Sequence, residues 1–317
     1  MKHICITGAT GLIGGALLTA LSSRKELRLT AMARTLVAPE SGGEVQWVSG
    51  DLASLSDCLA LVAGQDVIIH LAHKNAPLTS DRDLPGDALL NLLPTLNLIQ
   101  AIQQTGRRPH VIFASSGGAV YGHSHGPRPF AEDHPCLPIN SYGIQKLAAE
   151  HYLRLAAERG YFTATVLRIA NVYGWLLSPA RKQGFIGTAL FQAMAGQPIR
   201  IFGNPENVRD YVHINDVLEV FVRCLTPGQD FDLFNIGTGH GTSVRRIVDL
   251  LEECLGRPLA REEQAFAGAD FLPPWCVLDI ARARDLMDWT PQVSLQEGVA
   301  GMVAAAAEKG KKRLNLF

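Results

Sequence analysis

The chain has 317 residues, 47% hydrophobic and 19% charged, with a formal net charge of −1. That length and apolar content suit one large core, or a domain with a smaller companion, and exclude a disordered chain, while the near-neutral balance offers no attraction to a nucleic-acid polymer. No apolar run is long enough to span a bilayer, the start MKHICITG reads as a strand and not a signal peptide, and six scattered cysteines without a CxxC pair suit the reduced thiols of a cytoplasmic protein with no metal site.

Residues 3–7 read as a strand, followed by Gly8-Ala-Thr10-Gly11-Leu12-Ile13-Gly14 and then by the helical stripe Ala16, Leu17, Leu18 and Leu21. Glycines spaced GxxGxxG between strand and helix allow a tight turn, close backbone approach to a pyrophosphate and close helix–strand packing. The first amides of the helix then receive phosphates. Gly8, Thr10, Gly11, Leu12, Ile13 and Gly14 are therefore candidate cofactor contacts. The second strand, 27–33, ends at Arg34. An NAD site usually places Asp or Glu there for the ribose hydroxyls, and none is present. Arg34 pairs with the 2′-phosphate of NADP, or else lies over the adenine or in solvent; NAD and NADP both stay open, and this one residue leans to NADP. A third strand, 45–48, leads to Gly50-Asp51-Leu52, where Asp51 is also a candidate N-cap for a helix starting near Leu55. The fourth, 66–72, carries His70, Leu71 and Ala72, with His70 read as a packing residue satisfied by backbone groups.

A helix is expected over 87–104, containing Asn91 and an internal Pro94 that removes a backbone bond and kinks it. The apolar run 111–114 suits a buried parallel strand, with Ser115 and Ser116 at its end, where an open α/β sheet faces its ligand crevice. A Gly/Pro-rich connector holding His123 and His125 follows; both read as solvated loop histidines. Asn140 and Ser141 are cap-type residues that open a helix over 141–159. Tyr142 and Lys146 are four apart and share one face of it. A phenol beside an ammonium has its pKa lowered, which suits proton exchange with a sugar hydroxyl near neutral pH. Tyr-x-x-x-Lys alone is common by chance; its place after a Ser-Ser strand end, in a chain opened by a glycine turn, gives it weight. Further on come a strand over 163–168, Asn171-Val-Tyr-Gly174, a strand over 198–202, and Arg209-Asp210-Tyr211-Val212-His213 with Asp216 as the cap of a helix through Val222.

These motifs together resemble the extended short-chain dehydrogenase/reductase family, most closely its NAD-dependent nucleotide-sugar epimerase/dehydratase branch with the UDP-glucose 4-epimerase-like proteins, over nearly the whole chain. The resemblance implies an α/β fold: a Rossmann doubly wound parallel sheet over residues 1–175, with segments near 205–240 free to return to it, and a smaller mixed α/β substrate domain over 176–317. It implies Ser116, Tyr142 and Lys146 as the catalytic group, with Ser115 the second choice for the serine. Leu71 and Ala72 would lie along the dinucleotide, Asp51 would meet the adenine amine with Leu52 beside it, and Asn91 would order the proton relay behind Tyr142 and Lys146, which also hold the cofactor. Ser116, Asn171 and Arg209 would bind the nucleotide-sugar substrate.

The chain departs from the pattern in several places. His73 replaces a small residue, Pro94 a glycine, and Trp175 a proline. Gly117-Gly118-Ala119 stands where dehydratases carry Asp-Glu and decarboxylases a Glu. The segment 266–270 lacks a second phosphate-binding arginine. The implied function is NAD(P)-dependent 4-epimerisation of a nucleotide-linked sugar, ahead of an NAD(P)H-dependent 4-keto-sugar reductase and a dinucleotide-binding sensor without turnover. Homodimerisation through helices 87–104 and 141–159 is also implied.

Overall fold

The computed structural model describes residues 1–35, 45–74, 80–124, 126–175, 184–264 and 272–314. They form two compact units. The first comprises Met1–Gly122, Pro135–Ile169 and Leu218–Phe234, the second His123–His134, Ala170–Val217 and Asn235–Phe317.

The first unit opens with β1 (Lys2–Thr7) and α1 (Leu12–Leu21), then β2 (Leu27–Ala33), β3 (Val45–Ser49), α2 (Leu55–Val62) and β4 (Val67–His70). A short 3-10 turn (Ser80–Arg82) precedes α3 (Leu84–Thr105), which begins three residues before the expected start because Asp83 caps it, accepting from the Gly86 amide at 3.1 Å. It runs on through Pro94 without a break. β5 (His110–Ser116), the one-turn α4 (Gly117–Val120), α5 (Ser141–Glu158) and β6 (Thr163–Ile169) complete the run. Asn140 caps α5 as its residue type predicts, accepting from the Gly143 amide at 2.8 Å. In the second unit lie β7 (Asn171–Tyr173), α6 (Phe185–Met194), β8 (Ile199–Phe202) and β9 (Val208–His213). α7 (Ile214–Arg223) and β10 (Phe231–Ile236) fall across the divisions between the units, and β11 (Gly241–Ser243), α8 (Val244–Leu255), β12 (Arg261–Gln264), β13 (Trp275–Cys276), α9 (Ala281–Met287) and α10 (Leu295–Leu314) follow.

The main sheet has the order β10-β6-β5-β4-β1-β2-β3. Its pairs β1–β2, β1–β4, β2–β3, β4–β5 and β5–β6 are all parallel, with Thr7 level with His70 across β1 and β4. This is a Rossmann-type α/β sheet. The strand order reverses between β1 and β4, so the carboxyl ends of those two strands form the crevice where such sheets take ligands. β5 is buried along nearly its whole length, as the apolar run of a strand covered on both faces requires. One core cluster of this unit joins Cys58 and Leu61 of α2, Leu98 and Ile102 of α3, Val111 and Phe113 of β5 and Leu153 of α5. In the second unit β11, β9 and β13 form one small sheet, with β7 also on β9, and β12 pairs with β8. Its core packs Ile186 and Leu190 of α6 with Ile247 and Leu251 of α8 and Val299 and Met302 of α10. Among the described residues no helix is long and apolar enough to cross a membrane.

Candidate active site

The glycine turn sits at the end of β1. Gly8 has a φ of +68°, and a Cβ placed on it would come within 2.7 Å of the Ala72 amide nitrogen, so both its conformation and its contact with the segment after β4 require glycine. A Cβ on Gly14 would collide with the Gly8 carbonyl, so α1 can lie this close to the turn only with glycine there. Gly11 is the N-cap of α1 and contributes no side-chain cap, and no acidic residue occupies the first turn. The amides of Leu12, Ile13 and Gly14 have no intrahelical acceptor. Thr10 lies in the turn between them and Gly8. The positive end of the helix dipole and this backbone cradle fit a dinucleotide pyrophosphate.

Arg34 follows β2 with an exposed side chain that makes no ion pair among the described residues. Asp51 does not cap α2. Its Oδ1 accepts from the Ala53 amide at 2.9 Å, and Ser54 is the cap, accepting from the Asp57 amide at 3.3 Å. The shorter Asx turn uses Asp51 locally, and Ser54 is the residue immediately before the helix. Leu52 is buried, and its carbonyl and that of Ala53 accept from Asn97 Nδ2 on α3 at 3.0 and 2.9 Å.

His70 is satisfied by side chains, where backbone partners were expected. Thr7 Oγ1 lies 2.8 Å from its Nδ1 and Thr95 Oγ1 3.0 Å from its Nε2. Thr95 spends its hydroxyl proton on the Asn91 carbonyl (3.2 Å), so it accepts from His70 Nε2–H. Nδ1 is then the acceptor of the Thr7 hydroxyl. Thr7 Oγ1 itself accepts from the amides of Leu71 and Ala72 at 3.2 and 3.3 Å. The neutral tautomer follows from this chain of bonds. Burial, then the nearby Lys146 charge, lowers the His70 pKa to about 3, so it is no base near neutral pH.

Asn91, on α3, accepts from the Lys74 amide at 2.6 Å and donates from Nδ2 to the Asp87 carbonyl (3.0 Å) and Oδ1 (2.8 Å). Asp87 Oδ2 in turn accepts from Ser141 Oγ (2.7 Å) and from Gln145 Nε2, and Asp81 Oδ1 accepts from the Ser141 amide at 2.7 Å. The turn before Tyr142 is thus fastened to α3 through the buried Asp87 carboxylate and to the preceding 3-10 turn through Asp81. Nothing in the sequence pattern pointed to Asp87 except a charge on the buried face of a helix.

At the end of β5 the two serines separate. Ser115 is buried and donates to Glu150 Oε1 on α5; Ser116 is hydrogen-bonded to the Tyr142 phenol. Glu150 also holds Arg168 of β6, whose Nη2 reaches Oε2 at 2.7 Å and whose Nη1 donates to Tyr121 Oη at 2.9 Å. Lys146 is buried, donates from Nζ to the Ala114 carbonyl at 2.8 Å, and lies 4.8 Å from the Phe113 ring centroid and 5.8 Å from that of Tyr142. Burial lowers its pKa to about 8, against the opposing effect of Glu150. The Tyr142 pKa is raised by burial, with the Ser116 hydrogen bond working the other way. This reverses the expected lowering: the ammonium is spent on a backbone carbonyl, and desolvation of the phenolate wins. His73 stands edge-on to Tyr142, ring centroids 4.7 Å apart at 83°.

In the second unit, exposed Asn171 donates to the Asp210 carbonyl at 3.0 Å. Arg209 donates from Nη1 to the Val208 carbonyl at 2.7 Å, and its pKa is lowered by burial. Asp210 does not pair with it. That carboxylate accepts from Thr238 Oγ1 (2.7 Å) and from the amides of Thr238 (2.8 Å) and Gly239 (3.2 Å). Arg209 is therefore a half-buried guanidinium without a carboxylate partner among the described residues, which fits a phosphate ligand. Asp216 lies inside the first turn of α7 and does not cap it; its carboxylate accepts from the amides of Gln292 (2.9 Å) and Val293 (3.2 Å). His125 and residues 266–270 lie outside the described residues.

Residues 4–237 match the NAD dependent epimerase/dehydratase family. The UDP-glucose 4-epimerase of Mycolicibacterium smegmatis is 32% identical over 94% of this chain and 96% of its own length. The dTDP-4-dehydro-6-deoxyglucose reductase of Escherichia coli is 30% identical over 95% of this chain and 96% of its own. The crystal structure of the Thermotoga maritima UDP-glucose 4-epimerase with UDP-glucose superposes with a TM-score of 0.88 at 28% identity, covering 97% of this chain and 99% of that one. The chain therefore belongs to the NAD dependent epimerase/dehydratase family, among its UDP-glucose 4-epimerase-like extended short-chain dehydrogenase/reductases.

Proposed function

We propose that the protein interconverts the configuration at C4 of a nucleotide-linked sugar. The observation that carries the reading is the Ser116–Tyr142–Lys146 cluster: a phenol hydrogen-bonded to a serine hydroxyl, with a buried ammonium behind it. Tyr142 Oη takes the proton of the C4 hydroxyl and later returns it on the other face, and Ser116 holds that hydroxyl in line. Lys146, fixed by the Ala114 carbonyl, supplies positive charge to the phenolate while the proton is away. NAD, when bound, would supply the hydride chemistry at C4. Gly8, Thr10, Gly11, Leu12, Ile13 and Gly14 would hold its pyrophosphate, Asp51 and Leu52 its adenine end, Leu71 and Ala72 its length, and Asn91, Tyr142 and Lys146 its nicotinamide end. The first unit is thus the dinucleotide-binding half, and the second, with Asn171 and Arg209 on the substrate diphosphate, the substrate half.

NAD is favoured over NADP by the family's NAD dependence; Arg34, exposed and without an ion pair among the described residues, is the residue that would accept a 2′-phosphate instead. A second reading, reduction of a 4-keto nucleotide sugar, draws on the raised Tyr142 pKa, since a phenol kept protonated is ready to donate to a keto oxygen. α3 exposes Leu84 and Leu89, and α5 exposes Ile144, Tyr152 and Leu155, which supports a homodimer built on these two helices. The six free cysteines suit a reducing cytoplasm.

Proton NMR of UDP-, GDP-, CDP- and dTDP-sugars incubated with the protein and catalytic NAD or NADP tests the reading. A new anomeric signal without net cofactor reduction is expected. Stoichiometric oxidation of reduced cofactor on 4-keto sugars alone would replace it with the reductase, and tight cofactor binding without any product would leave a sensor.

A further inference from the structure

His73 stands where the sequence motif leads one to expect a small side chain, and its surroundings give it a task. Its backbone is held on both sides. The Ala72 amide donates to Thr7 Oγ1 at 3.3 Å, and the Lys74 amide donates to Asn91 Oδ1 at 2.6 Å. The same segment abuts Gly8, whose absent Cβ makes room for Ala72. The imidazole is thereby fixed at the junction of the glycine turn and the phenol, edge-on to Tyr142 with centroids 4.7 Å apart. Its Nε2 is buried and finds no hydrogen-bond partner among the described residues. A buried polar atom left unpaired is costly, and a bound ligand that pairs it recovers that cost.

We infer that His73 is a ligand-binding residue of this site, its Nε2 reserved for a hydroxyl group of the bound cofactor or sugar. A hydroxyl both donates and accepts, so it matches Nε2 in either tautomer of a neutral ring. The ring stays neutral: burial, then the charge of Lys146, lowers its pKa to about 2. It therefore contributes a hydrogen bond and orients Tyr142 by its edge contact, and it does not carry protons in the reaction. This rests on the assignment of Tyr142 to the reaction centre, but its test does not need turnover.

Two hydroxyl sources are possible, the nicotinamide ribose and the pyranose, and two titrations separate them. The first follows NADH fluorescence on the holo-competent wild type and on His73→Ala. The second follows a nucleotide sugar by calorimetry in saturating NAD. A loss of about tenfold in NADH affinity assigns the ribose; a similar loss confined to the sugar assigns the pyranose. Either result supports the inference. Retention of both affinities within twofold overturns it, as does a fall in kcat with both affinities intact. If His73→Ala does not melt cooperatively, His73→Asn replaces it; this variant keeps a polar group at the site and is expected to recover part of the affinity, whereas a variant that binds both ligands as the wild type does, without an imidazole, overturns the inference. Failure of every sugar to turn over would remove the epimerase reading and leave both titrations in force, since each reads binding and not turnover.

Discussion

Replacing Glu150 by glutamine removes one charge and almost no volume from the interior of the first unit. The carboxylate and the Arg168 guanidinium are each 5% exposed, and three bonds join them: Nη2 to Oε2 at 2.7 Å and Nε to Oε2 and Oε1 at 3.1 and 3.2 Å. Breaking such a pair from one side leaves a buried charge uncompensated and costs about 3–5 kcal/mol. For a chain somewhat larger than those for which the slope is about 2–4 °C per kcal/mol, the melting temperature of Glu150→Gln should fall by about 5–15 °C. The urea midpoint should fall with it at unchanged m-value. The double variant Glu150→Gln/Arg168→Met removes both charges and should recover much of the loss. A single variant that melts within 1 °C of wild type would refute the assignment of Glu150 as the counter-charge of this core.

Ser116→Ala should cost about 10²-fold or more in turnover with little loss of stability, because its hydroxyl meets the phenol. Ser115→Ala should do the reverse, lowering the melting temperature through its lost bond to Glu150 while leaving turnover nearly intact; paired steady-state kinetics and melts read both. Lys146 has a folded pKa of about 8, below its ordinary 10.5. Between those values the unfolded chain binds a proton that the folded one lacks, so this site adds stability as pH rises through the window and withholds it below. Relative to Lys146→Met, wild type should therefore gain up to about 3 kcal/mol between pH 8 and 10.5 in urea titrations, while turnover falls as the ammonium is lost. Parallel pH dependences of the two proteins would remove the basis for this. Arg209→Met should weaken nucleotide-sugar binding about 10–100-fold in calorimetry and leave NADH affinity unchanged.

The parts of the site carried by local patterns were legible in the residues. Gly8 and Gly14 announce themselves because only glycine tolerates the φ at one and the backbone contact at the other. Tyr142 and Lys146 sit one turn apart, and an Asn140 cap is visible from its type. What was hidden depends on contacts between distant positions. Thr7 and Thr95, which set the His70 tautomer, are 63 and 25 residues from it. Arg168 reads as an oddity in an apolar strand until Glu150 is found behind it. The direction of the Tyr142 shift was misjudged because spacing reports proximity to a charge and says nothing of desolvation, which here is the larger effect. Asp216 was expected as a helix cap by type, and Asp51 was a candidate for one. Each instead binds amides elsewhere, one of them 76 residues away, which no local pattern encodes.

The route through a transient 4-keto sugar is tested most directly by running the reaction in deuterium oxide and examining carbon-bound positions of the product. Hydride that leaves C4 and returns to C4 never meets solvent, so the inverted sugar should carry no deuterium at any carbon. Deuterium at C3 or C5 would mean that a proton was abstracted from carbon, and inversion by hydride transfer with Tyr142 as the hydroxyl's acid and base would be contradicted.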